Sequence, residues 1–289
     1  MLAVGEFTLL LIDTGLHCFG VIVFAAVAFR WARSGAWRNP LEPLEFTGDG
    51  PGLGHLVAVV AAYLLLGVGL VRAAGIDPDA ARLSGSHDWH LAQCIDAGAR
   101  LAVCVLIVVI LRRHRPFRTP GAPALGPPGV AAVSCGAVLI ILPIAYLQLQ
   151  MGQIVWWWLE PGAEQPIHAV LEAVETSVWG PWGAVQLTLG AVVAAPIAEE
   201  LLFRGLMLQM LWRYLGHAWL AIVLSGLAFG LIHHEQPQDV LPLLTMGVIL
   251  GYVRVRYRSL PACILIHALF NARTMVFVLL NPEMVRSNW

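Results

Sequence analysis

Two adjacent carboxylates, two histidines, an arginine and an asparagine interrupt apolar sequence in the C-terminal third of this 289-residue chain. They fall in three groups: Glu199-Glu200-Leu-Leu-Phe-Arg204, Phe229-Gly-Leu-Ile-His233 and His267-Ala-Leu-Phe-Asn271. An ionisable side chain inside a membrane is expensive unless it finds a partner, so such a concentration marks a functional site by default. The chemistry these groups share is proton transfer to and from a water, which is hydrolysis within the bilayer.

Spacing assigns roles. Helix neighbours point about 100° apart, so Glu199 and Glu200 cannot face one water equally. Arg204 lies one turn after Glu200, and the i,i+4 relation predicts an ion pair that makes Glu200 structural. Glu199 is then the freer carboxylate and the candidate general base. A turn near Gly216 would leave Glu199 and His233 equally far along the chain on either side, so an antiparallel hairpin predicts His233 at the depth of Glu199, holding the same water. Phe229, one turn before His233, would wall that pocket. His267 and Asn271 are also one turn apart, and two N–H donors aimed at one point make an oxyanion hole. Counting from Ser259 puts His267 about two turns inside its helix, a depth that does not match Glu199.

These groups need membrane helices to carry them. Hydrophobic residues make up 58% of the chain and charged ones 12%, about half the charged share of soluble domains. A net charge of −1 with no basic arm gives no footprint for nucleic acid. A span takes about 20 apolar residues, and candidates run near 7–29, 53–74, 91–111, 130–150, 183–203, 217–235, 239–256 and 260–280. The expected fold is all-α, a polytopic membrane helix bundle of about eight transmembrane helices. Its organisation reads as N-terminal helices without motifs over 1–150, an interfacial connection over 151–182 and a catalytic core over 183–289. In the first part, Asp13 with His17 and Asp96 with Arg100 read as mutually satisfied i,i+4 pairs. The five cysteines lack metal-ligand spacing and read as packing residues. Met1 to Glu6 carries no positive charge, so the first span reads as retained.

Arginine placement sets the orientation. Arg30, Arg33 and Arg38 follow the first span, Arg112, Arg113, Arg115 and Arg118 the third, Arg204 and Arg213 the fifth, and Arg254, Arg256 and Arg258 the seventh. Alternate connections carry acids instead: Asp77, Asp79 and Asp88, then Glu160, Glu164, Glu172 and Glu175. The arginine side is therefore expected to be cytoplasmic, with both termini outside and the site opening towards the cytoplasm. Trp156-Trp157-Trp158 suits an interfacial belt, and Pro166 to Trp179 a short surface helix. Segment 116–129 reads as a Pro- and Gly-rich linker. All 17 basic residues are arginine, which with 28 Gly and 18 Pro points to a GC-rich, bacterial source and so to a bacterial cytoplasmic membrane. No internal repeat supports an inverted-repeat transporter.

The three motifs resemble EExxxR, FxxxH and HxxxN of the type II CAAX prenyl protease and bacteriocin-processing family, the CPBP or Abi intramembrane proteases. Ala195-Pro196, Phe203-Arg204-Gly205, Ser225 and Gly247 with Gly251 fit the same pattern, and the similarity covers about 184–280. The resemblance implies an intramembrane endopeptidase acting on a membrane-tethered peptide or protein. It implies that Glu199 activates water, His233 assists, His267 and Asn271 stabilise the oxyanion, and Glu200 and Arg204 support the site. The expected mechanism uses no metal or cofactor, because the chain lacks HExxH and Asn271 is a poor zinc ligand. Glu199, His233 and His267 remain a possible three-ligand zinc set. The alternative function is a non-catalytic membrane immunity or scaffolding protein that retains the fold. His234 and Glu235 read as a solvated edge, and Arg273 as a structural ion pair or a contact to a substrate carboxylate.

Overall fold

A computed structural model describes residues 2–34, 50–77, 79–114, 125–159, 173–174 and 176–280, with Leu41 and Gly162. Among these the regular structure is entirely helical: α1 Leu2–Ser34, α2 Leu53–Ala73, α3 His87–Arg113, α4 Pro127–Leu159, a run over 181–215 termed α5, α6 Ala218–Leu231, α7 Pro237–Tyr257 and α8 Leu260–Leu280, with one 3₁₀ turn at Ala80–Arg82. This is the all-α membrane helix bundle expected. Helices α1, α2, α3, α4, α7 and α8 are long and apolar enough to cross a membrane. Large apolar side chains such as Ile22, Phe29, Leu65, Val105 and Leu147 stand exposed along them, as lipid-facing positions do. The chain is an integral membrane protein. Arg38, Arg115, Arg118, Glu160, Glu164, Glu172 and Glu175, and most of segments 116–129 and 166–179, lie outside the described residues.

Two of the expected spans differ in form. The fifth falls in α5, which changes register: α-helix Pro181–Leu189, π-helix Gly190–Ala194, α-helix Ala195–Glu200, π-helix Leu201–Met207 and α-helix Leu208–Leu215. The sixth, expected over 217–235, is the 14-residue α6. It stops at Leu231 because His233, His234, Glu235 and Gln236 form turns and Pro237 opens α7 as a helix start. The connection between α4 and α5 is shorter than expected, because α4 continues to Leu159 and carries the Trp triplet in its last turns.

The chain divides into two compact units, 1–47 with 117–166 and 211–266, and 48–116 with 167–210 and 267–289. In the first, α6 packs on α7 through glycines. A Cβ on Gly226 would come within 2.8 Å of Val248, and one on Gly230 within 2.7 Å of the Val240 carbonyl. Gly226 and Gly230 are four apart, the small-xxx-small spacing that lets membrane helices touch backbone to backbone. Gln148 of α4 donates to the Thr245 hydroxyl of α7 at 2.7 Å, and Gly216 ends α5 with a φ of +65° that suits a residue without a Cβ.

In the second unit, His90 at the start of α3 is fully buried. It hydrogen-bonds Gln186 of α5 and Ser177, each at 2.8 Å, and stacks on Trp179 with ring centroids 4.6 Å apart. Both ring nitrogens are thus satisfied, and α3 is tied to the start of α5. This anchoring fixes the level at which α3 presents Asp96 and Arg100.

Candidate active site

The Glu pair sits on the short α-helical stretch between the two π segments of α5. Such bulges need a local cause. In the first, the Ala195 N–H reaches back five residues to the Gly190 carbonyl. The next residue is Pro196, which has no N–H to give the Ala191 carbonyl in that register. Asn271 of α8 fills the gap, its Nδ2 donating to the Ala191 oxygen at 2.8 Å. The irregular backbone that displays Glu199 is therefore held by α8.

Glu200 and Arg204 are both fully buried and paired at 2.8 Å, the i,i+4 bond expected from spacing. The same Glu200 oxygen accepts from His267 Nδ1 at 3.0 Å. A carboxylate on Nδ1 fixes the tautomer and the ring plane, so a neutral His267 carries its lone pair on Nε2. That nitrogen lies 4.0 Å from Glu199 Oε2, beyond hydrogen-bond length and close enough for both atoms to engage one small group. The depth mismatch between His267 and Glu199 expected from counting is absent, since the two side chains approach to 4.0 Å.

Glu199 is the freer of the two carboxylates, as spacing suggested, but it is not without a partner. Its Oε1 accepts from Arg100 Nη1 at 3.2 Å. Arg100 Nε also donates to Asp96 Oδ2 at 2.6 Å, and Tyr63 of α2 donates its hydroxyl to Asp96 Oδ1. The Asp96–Arg100 pair was legible as an i,i+4 relation, but its link to Glu199 was not. Arg100 is a site residue that sequence reasoning missed, and only the presence of a charged pair inside an apolar helix signalled it.

Asn271, the expected oxyanion donor, also has a backbone partner. One amide N–H is committed to Ala191, which leaves the other for a second acceptor. His233 and Phe229 belong to the other unit. His233 Nδ1 donates to the Phe229 carbonyl at 2.9 Å, the Phe229 ring is fully buried and the two rings lie 5.3 Å apart. The bond satisfies a terminal carbonyl of α6 and again leaves the lone pair on Nε2. His234 and Glu235 are exposed, as expected. Arg273 places its guanidinium 4.9 Å from the centroid of the Phe277 ring. Among the described residues no group of three His, Cys, Asp or Glu side chains is arranged to hold a metal ion.

Comparison with known proteins agrees with the motifs. Residues 181–273 match the family described as type II CAAX prenyl endopeptidase, Rce1-like. UPF0177 protein YbdI of Lactococcus lactis subsp. lactis (strain IL1403) is 37% identical over 86 residues, 30% of this chain and 45% of that protein. The chain thus spans less than half the length of the curated relative it matches. No solved structure matches. Residues 181–273, which hold all three motifs, are similar to the type II CAAX prenyl endopeptidases of the Rce1-like kind.

Proposed function

We propose that the protein is a CAAX-protease-like intramembrane endopeptidase that cleaves a peptide bond in a membrane-associated protein or peptide. The observation that carries this reading is the pairing of Glu199 Oε2 with His267 Nε2 across 4.0 Å, with each partner's other polar atom already occupied. Glu199 takes a proton from water, the hydroxide attacks the scissile carbonyl, and the carbonyl oxygen becomes the oxyanion. His267, held by the Glu200 carboxylate at Nδ1, donates from Nε2 to that oxyanion when its ring carries a second proton, and the second N–H of Asn271 is the other donor. The proton held by Glu199 then passes to the departing amine. His233 keeps the assisting role that the family motif implies for it. The site opens to the cytoplasm, the side on which the arginine-rich connections lie.

Wild type and Glu199→Gln reconstituted in liposomes, offered prenylated and unmodified membrane peptides, test this. Wild type is expected to cleave at least one class. Glu199→Gln, shown to be folded by a cooperative thermal melt, is expected to lose activity by about 100- to 10,000-fold, as removal of a catalytic general base does. Unchanged turnover by the variant sinks the base assignment. If Glu199→Gln instead keeps full biological activity in cells, the protein is the scaffolding or immunity partner. A chelator arm addresses zinc at Glu199, His233 and His267: activity is expected to survive, and loss restored by zinc would replace the metal-free mechanism.

A further inference from the structure

Three side chains outside the family-matching segment form a chain that ends on Glu199. Tyr63 on α2 donates to Asp96. Asp96 on α3 accepts from Arg100 Nε at 2.6 Å. Arg100 Nη1 reaches Glu199 Oε1 at 3.2 Å. Arg100 and Asp96 are about one-third exposed, Glu199 much less so.

Helix α3 alone does not require this arrangement. The Asp96–Arg100 pair satisfies both charges one turn apart, yet the guanidinium forks outward to a second carboxylate. The terminal torsion of a glutamate is broad and two-fold, so an unheld Glu199 would present either oxygen to His267. With Oε1 on Arg100, Oε2 is the oxygen turned to His267 Nε2. The neighbouring Glu200 contributes no such restraint, because its bonded oxygen is taken by Arg204 and His267. Only an arginine fork can hold both carboxylates in one plane, since a lysine is a point charge on a flexible stem.

We propose that Arg100, braced by Asp96 and Tyr63, is the positioning residue for Glu199, so that the active site is assembled from two stretches of sequence of which one carries no family motif. This rests on Glu199 being the base. The clamp sets which carboxylate oxygen takes the proton and keeps the other on a fixed cation throughout the reaction.

The test uses the full chain in liposomes for kinetics and in detergent for thermal unfolding. Arg100→Gln is expected to lower kcat by about 100-fold, the cost of misplacing a reacting group by about 1 Å, with KM changed by less than about threefold because substrate binding is untouched. Arg100→Lys should recover about tenfold of that loss. Tyr63→Phe should lower kcat by about three- to tenfold, again at constant KM. Arg100→Gln and Glu199→Gln should be non-additive in melting temperature, the double variant melting no lower than Arg100→Gln. Wild-type kcat in a folded Arg100→Gln, or additive melting shifts, overturns the proposal. If Arg100→Gln does not fold, Tyr63→Phe decides: wild-type kcat overturns the proposal and a loss at constant KM sustains it. If wild type hydrolyses nothing while the melting coupling persists, the peptidase reading has failed and the clamp survives only as a structural link.

Discussion

Glu200 is the most heavily committed side chain in the site. One oxygen serves both Arg204 and His267, with all three residues buried. Removing one member of a buried pair strands a charge, whereas removing both does not. Arg204→Met should therefore destabilise the protein by about 3–5 kcal/mol, measured as unfolding in detergent. Glu200→Gln with Arg204→Met should cost clearly less, because the Gln carbonyl still accepts from His267 Nδ1. A double variant as unstable as the sum of the singles would show that the pair is not one unit. Half of this arrangement was legible: the Glu200–Arg204 bond follows from four-residue spacing on one helix. The His267 and Arg100 contacts join separate helices, and single-sequence periodicity carries no information on which faces of different helices meet.

On the scale of elements, the decisive feature is the register change in α5. Pro196 withholds the N–H that the π register needs at Ala191, and Asn271 supplies one from α8. The two residues thus form a coupled pair far apart in sequence. Asn271→Ala leaves a partly buried carbonyl orphaned and should cost about 1–3 kcal/mol. Pro196→Ala restores a backbone donor beside that carbonyl, so in this background Asn271→Ala should cost under about 1 kcal/mol. Equal costs in both backgrounds would mean that Asn271 holds something other than the proline gap. Both residues stood out in the sequence, one as the proline before the Glu pair and one as a polar group in α8. Their relation was hidden because helical periodicity assumes a constant register. The length of α6 was misjudged for a related reason: an apolar window runs on past Gly230, while the backbone ends its helix where polar turn residues and Pro237 begin.

For the whole molecule, the arrangement in the membrane turns on whether the broken α5 and the short α6 each cross. At 1.5 Å per residue, 14 residues rise about 21 Å, less than the ~30 Å of a hydrocarbon core. The arginines nevertheless alternate as if both cross: Arg30 and Arg33 close α1, Arg112 and Arg113 close α3, Arg213 lies near the end of α5, and Arg254 and Arg256 close α7. Were α6 not to cross, the ends of α5 and α7 would fall on opposite sides and the rule would break at one of them. The turns that carry His233 can complete the crossing where polar backbone is shielded by protein or water. Single cysteines in a background with Cys18, Cys94, Cys104, Cys135 and Cys263 replaced resolve this in intact cells. A membrane-impermeant maleimide should label Asp79→Cys and His234→Cys from outside. It should leave Ser34→Cys and Tyr214→Cys unlabelled until the cells are opened. Labelling of His234→Cys and Tyr214→Cys from one side would remove α6 from the count of crossings, and the opening of the site to the cytoplasm would fall with it. A fully inverted pattern would keep every crossing and reverse the orientation, so that arginine placement had misled and helix length had not.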